Sequence, residues 1–540
     1  MLIVCVGFVS ANNNSNCHCN YTIGLSQNNV DASTLSIKPG DTICILSGNR
    51  KFLRLANFHG DSLNYIVFKN CGGSVIVENN DQSYGILITH SSYFRFTGTG
   101  YDSIKYGIKV IKTPAKTVGL SIDGMSTNFE IDHIEVANSG FAGIMSLTQP
   151  TCDRTENRGV FVQRNTSIHD NFVHNTGGEG FYIGHSFYSG YPTVCDGKAD
   201  TLYPSELKGL RVFNNRIDSC GWDGIQVSCA TSNCEIYNNY ISHYGIAKEI
   251  SQNSGIQIGS GTTGKCYNNA ILNGSGTGIM IFGLGNNYFF NNIVVNSGYN
   301  FYSDDASKRV YGMFCADRAT VPGSSFNFIN NTIIAPKTDG IRIYSNQSRE
   351  NKFFNNLILK PGSFGTYRDL SQSYIFYNSD VQVDILTNYY SQNLSPFLKF
   401  DSLASIYNFT STLPIYNSGI NVSTFGIFTD YFNNQRPVNN KIDIGAFQFD
   451  SLKRSNTERY NYKYYIYPNP SNGNFMVVYN GNEKMKKITL CTFSGLKIFE
   501  ESDFLDNSKF IELKSRVKNG LYLLTIFTEK SQFASKIVIE

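Results

Sequence analysis

Gly224-Ile225-Gln226-Val227, Asn238-Asn239, Gly255-Ile256-Gln257-Ile258, Asn268-Asn269, Gly278-Ile279-Met280-Ile281 and Asn291-Asn292 follow one another along the chain. Their alternation decides the fold. An Asn pair in a short apolar strand gives way to a turn and then to Gly-Ile-x-Ile. The pairs extend outward to Asn214-Asn215, Asn330-Asn331 and Asn355-Asn356, with successive spacings of 24, 30, 23, 39 and 25 residues. Glycine-led strands keep step at Gly180-Phe181-Tyr182-Ile183 and Gly340-Ile341-Arg342-Ile343, and similar turns stand at Gly85, Gly107, Gly119 and Gly143. Self-similarity at a short period is the mark of a repeat architecture.

A period of about 23 residues built from short alternating strands is one coil of a solenoid, each strand stacking on its equivalent at roughly 4.8 Å. In Gly-Ile-x-Ile the branched residues face inward, so Tyr182, Gln226, Gln257, Met280 and Arg342 line an outer face in register. That face is expected to form a groove. Asn at the turn suits a position where amides hydrogen-bond from coil to coil and left-handed backbone angles are required, so an asparagine ladder is predicted. The leucine framework of horseshoe repeats and the Trp-Asp blades of propellers are absent.

Composition agrees with short strands and tight turns. The 540 residues include 48 Gly, 34 Tyr and 39 Phe beside one Trp, and only 16% are charged. A net charge of +3, with no basic stretch, excludes a phosphate backbone as partner, so no nucleic acid is expected. The apolar run over residues 2–9, ending in Val9-Ser10-Ala11, reads as a signal peptide over residues 1–11. No other segment reaches the ~18 apolar residues that cross a bilayer, so the exported protein is expected to be soluble, without a transmembrane span. Twelve cysteines remain outside the signal and can pair in an oxidising compartment. Cys229 with Cys234, across a short loop, and Cys152 with Cys195, between two long excursions, are the expected pairs. Cys17-His18-Cys19 lacks a second pair at zinc spacing and reads as disulfide-forming.

The repeat resembles the right-handed parallel β-helix superfamily, which contains pectate-lyase-like polysaccharide lyases, glycoside hydrolases and non-enzymatic relatives. The similarity covers roughly residues 20–450 and includes Asp443-Ile444-Gly445-Ala446-Phe447, preceded by Asp430 and Arg436-Pro437, expected to end and cap the tube. It implies an all-β chain: a right-handed parallel β-helix solenoid over residues 12–450, a polar linker at 451–463 and a small C-terminal β-sandwich at 464–540. Within the last segment, Tyr467-Pro468-Asn469-Pro470, Gly473, Phe475, Ser494-Gly495, Asn519-Gly520-Leu521-Tyr522 and Lys536-Ile537-Val538-Ile539 resemble the type A sorting domain of type IX secretion. That resemblance implies handling by the type IX machinery and a place outside the cell or anchored at its outer surface. Alternating strands at 475–479 and 522–527 support a sandwich independently.

Aligning the coils by their glycines puts Ala142, Glu179 and Asp223 in one column, with Phe141, Gly178 and Trp222 beside them. The segments carrying the two acids are 44 residues apart, about 20 more than one coil, and the surplus is an excursion at 186–207 holding Tyr188, Tyr191 and Tyr203. Carboxylates about 5 Å apart raise one another's pKa, as a general acid beside a base or nucleophile requires. Calcium bridging Glu179 and Asp223 would alternatively serve a lyase, with His169, His174 or His185 as base. Trp222 offers a stacking platform for a sugar ring, with Tyr182, Gln226 and Tyr188 as further substrate contacts. The expected function is therefore that of a monomeric, exported polysaccharide lyase or glycoside hydrolase, with a non-catalytic glycan-binding surface protein or adhesin as the alternative. Gly259-Ser260-Gly261-Thr262-Thr263-Gly264 copies a dinucleotide fingerprint, but a strand follows where a helix is required. Asp304-Asp305 reads as a solvated loop.

Overall fold

A computed structural model describes residues 17–298, 309–316, 320–362, 374–394 and 414–448 of the first part of the chain. In the last part it describes residues 464–467, 471, 473–479, 483–492, 496–502, 508–513, 517–518 and 520–539. The signal segment, the linker, Asp304-Asp305, Pro468-Asn469-Pro470, Ser494-Gly495 and Asn519 lie outside the described residues. Two compact units result, Met1–Phe449 and Asp450–Glu540.

The first unit is a right-handed parallel β-helix. One coil runs through strands Arg211–Phe213, Arg216–Cys220 and Ile225–Val227, and the next through Cys234–Tyr237, Tyr240–Ser242 and Ile256–Ile258. They stack in parallel register, with Val212 on Ile236, Ile217 on Ile241 and Ile225 on Ile256. Repetition gives a 12-stranded sheet from Asn29–Asp31 to Ile375–Tyr377, a 23-stranded sheet formed by most other strands of the coils, and a short three-stranded parallel sheet of Val162–Arg164, Glu206–Lys208 and Ala230–Ser232. The inward residues Ile217, Ile225, Ile236, Ile241 and Ile256 are all 0% exposed, and each such side chain contributes about 1.5–3 kcal/mol by leaving water.

Each Asn pair divides two tasks between its members. The first Asn takes the left-handed backbone, with φ between 53° and 55° at Asn214, Asn238, Asn268, Asn291, Asn330 and Asn355. The second turns inward and forms the ladder. Asn215 donates both its backbone N–H and its Nδ2 to Asn239 Oδ1 at 3.1 Å, and its Nδ2 also reaches the Ile168 carbonyl. The same contacts repeat without a break from Asn171 through Asn215, Asn239, Asn269, Asn292, Asn331 and Asn356 to Asn388. The end members escape the pair pattern because Asp170 and Thr387 supply their left-handed residue.

The glycines from Gly85 to Gly340 that lead strands of the 12-stranded sheet are required by close approach. A Cβ on Gly224 would sit 2.5 Å from both the Gly255 carbonyl oxygen and Ile241 Cγ2. No side chain fits between the coils there.

Three details differ from the sequence reading. Cys229 and Cys234 are not bonded to each other; both are buried free thiols, and Cys229 donates to the His185 carbonyl at 3.0 Å. Their inward, apolar setting keeps them as core residues. Cys152–Cys195 does form, as do Cys17–Cys71 and Cys19–Cys44. Secondly, the 430–447 motif does not close the tube as its last coil. Gly445 N–H donates to the Asn355 carbonyl, Ala446 N–H to Thr332 Oγ1, and the buried Arg436 guanidinium to Asn291 Oδ1 and the Gly445 carbonyl. The motif therefore braces the flank of three coils, while strands Val383–Leu386 and Tyr389–Ser391 stack further on. Thirdly, the outer column is in register, Tyr182 on Gln226, Gln226 on Gln257, Gln257 on Met280, but it is not an open groove. Gln226, Gln257 and Arg342 are buried.

The second unit has a three-stranded antiparallel sheet, Tyr464–Tyr467, Asn474–Tyr479 and Ser508–Glu512, and a four-stranded one, Lys497–Ser502, Met485–Thr492, Gly520–Thr528 and Gln532–Ile539. Phe475, Val477, Ile488, Leu490, Leu524, Ile526 and Ile537 form its core, as period-two alternation requires.

Candidate functional site

Backbone hydrogen bonds fix the acid column. Gly143 N–H donates to the Glu179 carbonyl and Gly180 N–H to the Asp223 carbonyl, both at 2.9 Å, so Ala142, Glu179 and Asp223 occupy equivalent positions on successive coils. Gly178 N–H donates to Phe141 O and Trp222 N–H to Gly178 O, which sets the neighbouring column in the same way. Both acids are shut from solvent, Glu179 at 1% and Asp223 at 0% exposure. Asp223 Oδ1 accepts the Ser254 N–H at 2.5 Å, but Asp223 Oδ2 and Glu179 Oε2 have no hydrogen-bond partner. Burial pushes the Glu179 carboxyl up to about 7, and burial together with the Glu179 charge pushes Asp223 well above the usual carboxylate range. Burial therefore favours the protonated form of both carboxyls.

Residues 245–253 are laced onto the acid-bearing turn. Gly245 N–H donates to Trp222 O, Ile246 N–H to Cys220 O and Ala247 N–H to Gly221 O. Trp222 is half-buried, edge-to-face with Phe141 at 5.4 Å, and Phe141 meets Tyr182 in the same way at 6.2 Å. Tyr182 shares a hydrogen bond with Ser186, which also receives the Gln226 Nε2 at 2.9 Å; Gln226 Oε1 in turn receives Gln257 Nε2. A polar chain therefore runs beneath the excursion and ends on Gln257 Oε1, which is buried without a donor.

The excursion is a wall. Strands Tyr191–Cys195 and Lys198–Leu202 pair as an antiparallel hairpin, tied by Cys152–Cys195 and by the Arg154–Asp200 ion pair to the earlier excursion at 147–161. Tyr188 anchors it: the Arg158 guanidinium lies 4.0 Å above its ring, and the ring packs against Gly261. That pinning removes Tyr188 from the free face expected of a sugar contact.

The three histidines separate. His169 and His174 belong to strands of the 23-stranded sheet, and neither hydrogen-bonds to Glu179 or Asp223 among the described residues. Sharing a coil in sequence does not bring residues together when they stand on different faces of it. His169 bonds Asp170 and Glu130 and stacks on Phe213 at 4.5 Å; burial alone would lower its pKa, but those two carboxylates hold it raised. His174 stacks on Phe172 and contacts Glu135, whose carboxyl is held at about 2 by His174 and Lys109 against the effect of burial. His185 lies at the foot of the wall, where burial lowers it to about 4; its Nδ1 accepts the Phe187 N–H, which occupies the atom a base would use.

The donor set does not fit calcium. That ion takes six to eight oxygens, whereas this column offers two orphan carboxylate oxygens beside a backbone N–H and the Cys220 thiol. Among the described residues, groups of three ligand-type side chains occur at Cys17, Cys44 and Cys71, in the disulfide region, and at Glu130, Asp132 and His169. In the latter, the Arg95 guanidinium already bonds both acids, at 3.1 and 2.8 Å. A cavity of about 390 Å³ lined by Ala32, Ser33, Ile37, Asn57 and His59 involves none of the expected site residues.

Ser186 was not visible as a site residue from sequence. It lies in the excursion, and its role depends on folding back over Tyr182 and Gln226.

Residues 203–381 match the family described as right handed beta helix region, and residues 465–540 the secretion system C-terminal sorting domain. No curated protein matches the chain. Similar solved structures include an alginate lyase from Paenibacillus sp. (15% identity, 67% of this chain and 99% of that one, TM-score 0.39). Others are a pectate lyase (13%, 78% and 90%, TM-score 0.41) and a lacto-N-biosidase from Eubacterium ramulus (12%, 65% and 63%, TM-score 0.40). Among the described residues no helix is long and apolar enough to cross a membrane. The chain is a right-handed parallel β-helix protein with a C-terminal type IX secretion sorting domain, which directs it to the cell surface or beyond.

Proposed function

We propose that the β-helix acts on polysaccharide outside the cell, as a glycoside hydrolase using Asp223 as acid and Glu179 as its ionised partner. One observation carries this reading: Glu179 Oε2 and Asp223 Oδ2 are buried without partners on consecutive coils. A buried carboxylate oxygen left unbonded costs about 1–3 kcal/mol or more, and the spacing of stacked strands, roughly 4.8 Å, approaches the 5–5.5 Å separation of a retaining acid pair. The protonated carboxyl gives its proton to the departing glycosidic oxygen. Its ionised partner stabilises the anomeric carbon until water adds there and returns a proton to the pair. Lyase chemistry is less well served, because His169 and His174 are engaged on another face and His185 Nδ1 is occupied. Phe141, Trp222 and Tyr182 supply apolar ring surface beside the acids. Substrate entry requires residues 245–253 to lift from the acid-bearing turn.

Digestion of a glycan panel with the full chain tests it. New reducing ends that vanish in Glu179→Gln support hydrolysis; unsaturated ends would point to a lyase, and no product on any glycan removes the enzymatic reading. A second reading, glycan binding without chemistry, is favoured by the complete burial of both acids. It requires saturable binding, no product, and indifference to Glu179→Gln.

A further inference from the structure

Arg342 stands in the outer position of Ile341-Arg342-Ile343, in register between Phe314 and Phe376. Its guanidinium lies 4.0 Å from the Phe376 ring, 5.3 Å from Tyr311 and 5.6 Å from Tyr344. Nε donates to Asp339 Oδ2 and Nη1 to the Tyr344 hydroxyl, both at 2.6 Å. Nη2 has no partner, although the residue is only 1% exposed. Satisfying Asp339 takes only the Nε edge of the fork. The remaining edge is a charged donor held in place by aromatic rings, and hydrogen bonds to such donors are about twice as strong as neutral ones.

The position fits the column that leads from Tyr182. Gln257 is followed by Met280, Phe314 and Arg342 on successive strands, three steps of roughly 4.8 Å, or about 14 Å. One orphan acceptor, Gln257 Oε1, and one orphan donor, Arg342 Nη2, thus share an outer line that an extended oligosaccharide can follow. The acceptor suits a hydroxyl. The donor suits an oxyanion, since a guanidinium matches the geometry of a carboxylate or sulfate.

We infer that Arg342 is an anion subsite on this outer column, taking the carboxylate or sulfate of an acidic sugar between the rings of Tyr344 and Phe376. This rests on the polysaccharide reading and narrows the substrate to an acidic polysaccharide. Phe376, Tyr311 and Tyr344 keep water from the guanidinium and offer apolar surface to the sugar ring that bears the charge.

The test is binding of the full chain to an array holding uronate oligosaccharides, sulfated oligosaccharides, and the same backbones after carboxyl reduction or desulfation. Acidic members should bind at least tenfold more tightly than their neutral counterparts, weakening as salt is raised, and the responding arm tells carboxylate from sulfate. The advantage should disappear in Asp339→Asn/Arg342→Gln, which removes both members of the buried pair and so avoids stranding one charge. Arg342→Lys, which keeps the charge but not the fork, should lose most of it. Equal binding of acidic and neutral members, or an acidic advantage that survives the double substitution, overturns the inference and leaves the polysaccharide reading standing. An array on which nothing binds overturns both.

Discussion

Glu179 and Asp223 occupy the same position on consecutive coils, linked through the Gly180 N–H that donates to the Asp223 carbonyl, yet each keeps one carboxylate oxygen unbonded in the interior. Asn215, also one coil from its partner Asn239, donates both its backbone N–H and its Nδ2 to the Asn239 Oδ1. The fold therefore has the means to pair stacked polar groups, and the acid column departs from it.

That departure has a pH signature. The Glu179 carboxyl is raised by burial from 4.5 to about 7. Below about pH 4.5 the group is protonated in folded and unfolded chains alike, and its contribution to stability is fully present. Between about 4.5 and 7 the unfolded chain ionises first, so stability is lost as pH rises, by on the order of 3 kcal/mol. Urea unfolding across this window should show wild type weakening relative to Glu179→Gln, which cannot ionise. Parallel curves for the two proteins would show that the carboxyl is not buried as described.

The ladder makes a second prediction. Asn239→Ala removes the side-chain partner of the Val212 carbonyl and of the Asn215 N–H, leaves Asn215 Nδ2 with the Ile168 carbonyl alone, and should cost about 3–5 kcal/mol. Its neighbour Asn238 needs only a left-handed backbone, φ 55°, so Asn238→Gly should change stability by less than about 1 kcal/mol. Adjacent asparagines with opposite tolerance, read by denaturant unfolding, distinguish the two tasks. Similar costs at both would contradict the division.

Reduction should act on the wall before the core. Cys152 is exposed, whereas Cys220, Cys229, Cys234, Cys266 and Cys315 are buried thiols. Mild reductant without denaturant should therefore release Cys152 and Cys195 for alkylation and open the 191–202 hairpin to proteases, while the five thiols stay unmodified. Mass mapping of the alkylated native protein checks this.

Trp222 is the sole tryptophan, so its fluorescence reports on one place. Any oligosaccharide that lies beside Phe141 and Tyr182 should shift its emission, and Trp222→Phe should remove the signal and weaken binding about tenfold. Binding measured independently without a change in emission would place the sugar elsewhere.

The solenoid was legible because its determinants are local and repeated. Gly-Ile-x-Ile marks a close approach of backbones, and each Asn pair marks a left-handed residue followed by a ladder rung. The column containing Glu179 and Asp223 followed from the same alignment. Placement around the coil was less legible. His169 and His174 neighbour Glu179 in sequence, but the turns between strands send them to another face. Burial was hidden as well, since nothing local announces that Ser186 folds over Gln226, or that residues 245–253 close on Trp222. The 430–447 motif looked terminal because it ends the repeat, whereas its contacts at Asn291, Thr332 and Asn355 run across the flank. Cys229 and Cys234 are close in sequence, but their inward setting in the coils leaves them as unbonded core thiols.

A crystal structure of the full chain carrying Glu179→Gln, with a bound oligosaccharide, tests the central claim most directly. The account predicts sugar rings against Trp222 and Tyr182, with a glycosidic oxygen within about 3 Å of the Asp223 carboxyl and residues 245–253 displaced. An oligosaccharide seated on another face, with the acid column still closed beneath that loop, would contradict it.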